Sequence, residues 1–219
     1  MGAITTKATT AQAAPADRRG RLGVKGERTR QRIKAAFAEL LEGKTFASVT
    51  IADICRTADI TVGGFYFHFA SQEELLDEAM AEYVTALIRD LDGALETAGE
   101  ALAEAVCGAF LSAYSERVGL ARTFQQLTRM RADYAVRWQS ASGPAMQRLA
   151  EWLAGDRADL APDQATFLAY ALVTMIMSKL DLVYVYRDPS IAATAPSRPA
   201  LSSELPALWR RMTQPGSTP

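Results

Sequence analysis

The stretch Thr50-Ile-Ala-Asp-Ile-Cys-Arg-Thr-Ala-Asp-Ile-Thr-Val-Gly-Gly-Phe-Tyr-Phe-His-Phe69 decides how this chain is read. Thr50 stands three residues before Asp53, the spacing of a capping box, in which a hydroxyl accepts the N–H of the third helical residue. Ile51, Ile54 and Cys55 then share one side of a short helix, and Ala52 and Ala58 are small enough for a close helix crossing. Asp59 tolerates the turn conformation that ends this helix. Thr61 is placed to cap a second short helix, Val62 to Phe69. Two capped helices joined by three or four residues, with a helix before them to complete a small core, form the pattern of a helix-turn-helix. Ile51, Ile54, Ile60, Val62, Phe65 and Phe69 are expected in that core, which leaves Thr61, Gly64, Phe67 and His68 outward. Small residues, polar donors and an aromatic suit a surface that enters a major groove.

Working outward, Ile33, Ala36, Phe37, Leu40 and Leu41 recur at helical spacing upstream, and Gly43 is placed to stop that helix. Residues 1–26 have no periodicity and read as a flexible arm. Downstream, Ser71 and Glu74 form a second capping box, opening a helix from Gln72 to about Leu91. Further helices are expected near 97–118, 120–131, 133–154, 163–187 and 202–212. Breaks are expected at Gly119, at Asp156–Pro162 and at Asp188–Pro199. Period-2 alternation never lasts, so the fold class is all-α, with about nine helices. The expected division is an arm over 1–26, a helix-turn-helix domain over 27–76 and a larger helical domain over 77–213.

Charge is distributed unevenly. Residues 1–34 carry nine Lys or Arg against Asp17 and Glu27, a net of +7, whereas the remainder carries a net of −8. A basic front end on an acidic body points to a polyanion partner at one end. Arg28, Arg30, Arg32 and Lys34 form a basic face, and at least one of them is expected to meet a phosphate.

Several classes are set aside. Cys55 and Cys107 lie among apolar neighbours in helical patterns, as buried thiols of a reducing compartment do. With one histidine in the chain, no His-based metal set or catalytic triad can be assembled, and no Gly-rich phosphate loop follows a strand. No metal, cofactor or enzymatic activity is therefore expected. The first twenty residues lack an apolar signal core, and the run Gln164–Ser178 is short of a membrane span, so a cytoplasmic protein without membrane contact is expected.

The segments Ile51-Ala52-Asp53-Ile54, Ile60-Thr61-Val62, Tyr66-Phe67-His68-Phe69 and Ser71-Gln72-Glu73-Glu74-Leu75 together resemble the DNA-binding domain of TetR-family transcriptional regulators over about residues 28–76. The resemblance implies double-stranded DNA as partner, with contacts from Arg28, Thr50, Thr61, Gly63, Gly64, Tyr66, Phe67, His68, Ser71 and Gln72. Tyr66 and His68 would meet phosphates or sugars, and the amides at Ser71–Glu73 another phosphate. Two positions depart from the family pattern: Gln72 replaces the usual Lys, and Gly64 stands where Ser or Thr is frequent.

The resemblance also implies a homodimer. The segment Asp163–Arg187 is apolar nearly all round, so it needs cover on two fronts. Phe167, Tyr170, Met177, Leu182 and Tyr184, with Leu208 from the last helix, are expected in the dimer interface. Phe110, Tyr114, Phe124, Leu127, Met130, Tyr134, Trp138 and Met175 either form ordinary core or line a pocket for a small apolar or aromatic effector, with Arg122, Arg129 or Arg131 as anion anchors. The expected function is a ligand-responsive repressor on a near-palindromic operator. The alternative is a small-molecule-binding helical adaptor that no longer recognises DNA.

Overall fold

The apolar stripe Ile33, Phe37 and Leu41 is wholly buried on one side of the first helix, α1 (Val24–Gly43). A computed structural model describes residues 23–96, 99, 101–156, 160–186 and 198–213. Residues 1–22 of the expected arm, with 97, 98, 100, 157–159 and 187–197, lie outside the described residues, and the arm's last three residues, 24–26, already belong to α1. After one 3-10 turn (Phe46–Ser48) come α2 (Ile51–Ala58), α3 (Val62–His68) and α4 (Gln72–Glu96). Then follow α5 (Leu102–Glu116), α6 (Val118–Met130), α7 (Ala132–Asp156), α8 (Pro162–Leu180) and α9 (Arg198–Thr213). No strand forms among the described residues.

Local punctuation sets the short helices. Thr50 accepts from the N–H of Asp53, whose carboxylate accepts in return from the N–H of Thr50, completing the capping box of α2. Asp59 ends α2 in the left-handed region at φ 51°, a conformation its short polar side chain tolerates. Thr61 caps α3 by accepting from the N–H of Gly64. Ser71 accepts from the N–H of Glu74 to open α4.

α1 packs on α2, α3 and the start of α4, and Ile54, Phe65, Phe69 and Leu75 close the small core between them. α4 runs unbroken past residue 76, so the boundary expected there falls inside one helix. Its later turns lie against α5 and α7, α7 packs on α8, and α9 lies mainly on α5. Burial pushes the Cys107 thiol up to about 12 and raises that of Cys55, consistent with inert core thiols.

Two expectations are corrected here. Gly119 does not break the chain; the interruption lies at Arg117, and Gly119 sits buried in the first turn of α6. The glycine serves close approach instead, with its backbone against Leu41 and Glu42 of α1. Val62, expected in the core, is 50% exposed. Val62 is the first residue of α3, directly after the Thr61 cap, and its side chain stays on the solvent side. The outward face is therefore Thr61, Val62, Gly63, Tyr66 and Phe67, with Gly64 half-buried.

Candidate nucleic-acid interface

α3 is seven residues long, too short to hold its place without support. Support comes from beneath. Phe65 and Phe69 are wholly buried, with ring centroids 5.9 Å apart. The Arg30 guanidinium lies over the Phe69 ring at 4.1 Å, donates to the backbone carbonyl of His68 and grips both carboxylate oxygens of Glu78. Lys34, one turn on, bridges Glu78 and Glu82 of α4. One buried cationic pair thus ties α1 to α4, and Arg30 neutralises a terminal carbonyl of α3, where a positive charge is favourable.

With its base fixed, α3 projects Phe67 at 67% and Tyr66 at 47% exposure. His68 is half-buried, and its ring meets that of Phe67 at right angles, with centroids 5.1 Å apart. Burial first, then the charge of Arg30, holds the His68 pKa below the ordinary histidine value, and Glu27 opposes this weakly. Its imidazole is accordingly neutral at pH 7, and the buried Nδ1 has no hydrogen-bond partner among the described residues.

Arg28 is exposed on α1, as expected of a backbone contact. Arg30 and Lys34 are buried in the clasp to α4 and are not available to phosphate, because acidic Glu78 and Glu82 face them. The Arg32 guanidinium reaches the carbonyl of Asp59, at 3.5 Å. Gln72 is also corrected: its side-chain amide turns inward and donates to the carbonyls of Val49 (2.9 Å) and Phe46 (3.5 Å), sealing the turn before α2. The hydroxyls of Thr50, Thr61 and Ser71 all cap helices and so position the backbone around them.

In the larger half, the residues expected around an effector separate into two groups. Phe124, Tyr134 and Trp138 line a cavity of about 190 Å³ between α4 and α7, together with Met80, Val84 and Arg137. The Tyr134 hydroxyl donates to Asp77 at its edge, and Arg131 and Arg137 lie over the Tyr134 ring at 4.6 and 5.3 Å. Phe110 and Tyr114 do not line this cavity; they are packed core. Leu127 and Met175 are partly buried against that core. Met130 is corrected: it ends α6 at 83% exposure and is not among the residues lining this cavity.

A buried polar group that the sequence reading missed lies beneath. The Tyr114 hydroxyl donates to Asp181 (3.1 Å) and accepts from Gln125 (2.6 Å), and Arg129 reaches the other oxygen of Asp181 at 3.4 Å. Burial raises the Asp181 carboxyl, against the pull of Tyr114 and Arg129. The Tyr83 hydroxyl is buried with no hydrogen-bond partner among the described residues. Asp181 opens a π-helical segment (Asp181–Tyr186) that continues α8, a distortion frequent at functional positions. Of the arginines considered as anion anchors, Arg122 donates to the carbonyls of Leu41 and Lys44, Arg129 to Tyr186 and Asp181, and Arg131 to Asp133.

The residues expected at a dimer interface belong to α8, its π segment and α9. Phe167 is 77% exposed, Tyr170, Leu182 and Leu208 are exposed, and Met177 and Tyr184 are half-buried. By length and composition the helix Pro162–Tyr186 could cross a membrane, yet its opposite side packs on α7 and α5.

A family model described as bacterial regulatory proteins, tetR family, matches residues 33–79. The uncharacterized HTH-type transcriptional regulator YxbF of Bacillus subtilis (strain 168) is 44% identical over 50 residues. That stretch is 22% of this chain and only 13% of the relative. Among solved structures, a transcriptional regulator (TerR/AcrR family) from Aquifex aeolicus VF5 superposes with a TM-score of 0.64 at 22% identity, covering 84% of this chain and 99% of the other. The TetR family transcriptional regulator PfmR from Thermus thermophilus gives a TM-score of 0.64 at 16% identity, covering 83% and 97%.

Proposed function

We propose that this chain, whose residues 33–79 match a family model of bacterial regulatory proteins, tetR family, and whose fold resembles that of such regulators, is a homodimeric, cytoplasmic repressor. It would leave a near-palindromic operator when a small apolar or aromatic effector binds. The match over residues 33–79 supports DNA binding in transcription regulation; the observation that carries the finer reading is the seating of α3. A short capped helix is clamped from below by Arg30 and Glu78 and turns Tyr66 and Phe67 outward. Side chains of that kind on a short helix suit a major groove, and the exposure of Arg28 and Tyr66 supports contacts to the DNA backbone.

Exposed Phe167, Tyr170, Leu182 and Leu208 on α8, its π segment and α9 support the homodimer, since large apolar side chains left in solvent invite association. Two-fold symmetry would set two copies of α3 about one helical turn of DNA apart, roughly 34–36 Å. The cavity between α4 and α7 supports the effector. α4 leads from that cavity directly to Glu78 and so to the base of α3. A ligand that prefers one placement of α4 would shift the spacing of the two recognition helices, and coupling of about 1–3 kcal/mol changes operator affinity roughly 5–150-fold.

The adaptor reading draws on Gln72, whose amide is turned inward. A duplex selected from a randomised pool by the full chain, then titrated against salt, separates the two. A repressor making about six phosphate contacts loses roughly 10³-fold in affinity between 50 and 200 mM salt, and footprinting shows two protected half-sites. Failure to select any preferred duplex, or affinity indifferent to salt, would leave the adaptor.

A further inference from the structure

The outward face of α3 lacks the side chains that usually read bases. Guanine is fixed by Arg or Lys, adenine by Asn or Gln, cytosine by Asp or Glu, and thymine by apolar contact with its 5-methyl group. α3, Val-Gly-Gly-Phe-Tyr-Phe-His, contains none of the first three sets. The Thr61 hydroxyl just before it accepts from the Gly64 N–H at 3.0 Å. The polar side chains left on α3, exposed Tyr66 and half-buried His68, belong to none of those sets.

What α3 offers instead is Val62 at its start and Phe67 one turn beyond Gly63, both exposed, with Gly63 between them around the helix. Gly63 has no intramolecular duty. A Cβ there would come no nearer than 4.0 Å to any neighbour, and its backbone is not left-handed. Glycine in such a place weakens the helix without serving the fold. Its effect is to lower the surface between two apolar side chains, so that a backbone can come close to an opposing surface.

Resting on the DNA-binding reading above, we propose that the chain recognises its operator through thymines: Val62 and Phe67 pack on 5-methyl groups in the major groove, and Gly63 lets the helix backbone reach van der Waals contact with the base edges. Half-sites would be marked by thymine positions rather than by a guanine held in a bidentate contact.

The test uses a duplex selected by the full chain and resynthesised with deoxyuridine replacing one thymidine at a time. Each contacted thymine should lose about fourfold in affinity on losing its methyl group. In Phe67→Ala the sensitivity should vanish at one position of each half-site, and in Val62→Ala at another. Gly63→Ala should raise the unfolding midpoint by about 2–4 °C while weakening the duplex roughly tenfold. A fold defect cannot produce that opposition. If every deoxyuridine duplex binds as tightly as its parent, or Gly63→Ala leaves affinity unchanged, thymine readout is wrong while DNA binding stands. If no duplex is selected at all, the DNA-binding reading fails, and this inference with it.

Discussion

Gly119→Ala tests the join between the two halves of the molecule. A Cβ at this position would lie 2.4 Å from the carbonyl carbon of Leu41, 2.5 Å from its oxygen and 2.6 Å from the nitrogen of Glu42. Relaxed contacts between such atoms are about 3.5–4.0 Å, and all three obstacles are backbone, so α6 must retreat by roughly 1 Å. That retreat stretches the bond from the Gly119 N–H to Glu42 Oε1, now 2.9 Å, and draws Arg122 away from the carbonyls of Leu41 and Lys44. Overpacking costs about 1–3 kcal/mol, and a lost hydrogen bond to a charged group about 1.5–3 kcal/mol. The better helix propensity of alanine returns about 1 kcal/mol. The net loss is about 1.5–5 kcal/mol, which at about 2–4 °C per kcal/mol lowers the melting midpoint by roughly 3–20 °C. Gly108→Ala is the control: it is exposed in α5 with no atom within 4 Å, so it should stabilise by up to about 1 kcal/mol. Scanning calorimetry of both variants decides the matter. Equal midpoints would refute the close seating of α6 on α1.

Arg30→Met should destabilise the chain by about 3–5 kcal/mol in urea unfolding, because it leaves the partly buried Glu78 with Lys34 alone and removes the cap on the His68 carbonyl. Adding Glu78→Leu should recover part of that loss, and a single variant within about 0.5 kcal/mol of the parent would contradict the clasp. Acid should loosen the helix-turn-helix early. Lys44, then Thr50 and Arg56, holds the Asp53 carboxyl well below the usual carboxylate range. Burial pushes Glu78 up, but Arg30 and Lys34 more than offset it. Both carboxyls bind protons more readily when unfolded, so their contribution is complete above about pH 4.3 and is lost as pH falls through their lower folded values. Asp53→Asn should therefore flatten the loss of stability below that pH, and an unchanged acid profile by near-UV circular dichroism would count against the assignment.

The readings that held concern neighbours in sequence. Thr50 with Asp53, Thr61 with Gly64, and Ser71 with Glu74 each act across three residues, and the left-handed Asp59 is a property of one residue in a short turn. The apolar stripe of α1 was legible for the same reason, since helical period alone brings Ile33, Phe37 and Leu41 to one side. The comparisons with known regulators bear out the all-α helix-turn-helix architecture that this punctuation implied.

The misplaced residues depend on partners far along the chain. Arg30 looked like one more member of a basic face until α4 brought Glu78 to it from 48 residues away. Arg122 caps α1 across 81 residues, and Tyr114 meets Asp181 across 67. Gly119 is a helix breaker by composition and a contact point by packing, since only the approach of α1 makes its missing side chain necessary. Local hydrogen bonding and periodicity set which segments are helical and where the short ones begin and end, because those interactions are complete within a turn or two. Which charges are buried, which glycine is required and which face of α3 looks outward were decided by helix packing, because a side chain's cost or gain depends on what stands opposite it.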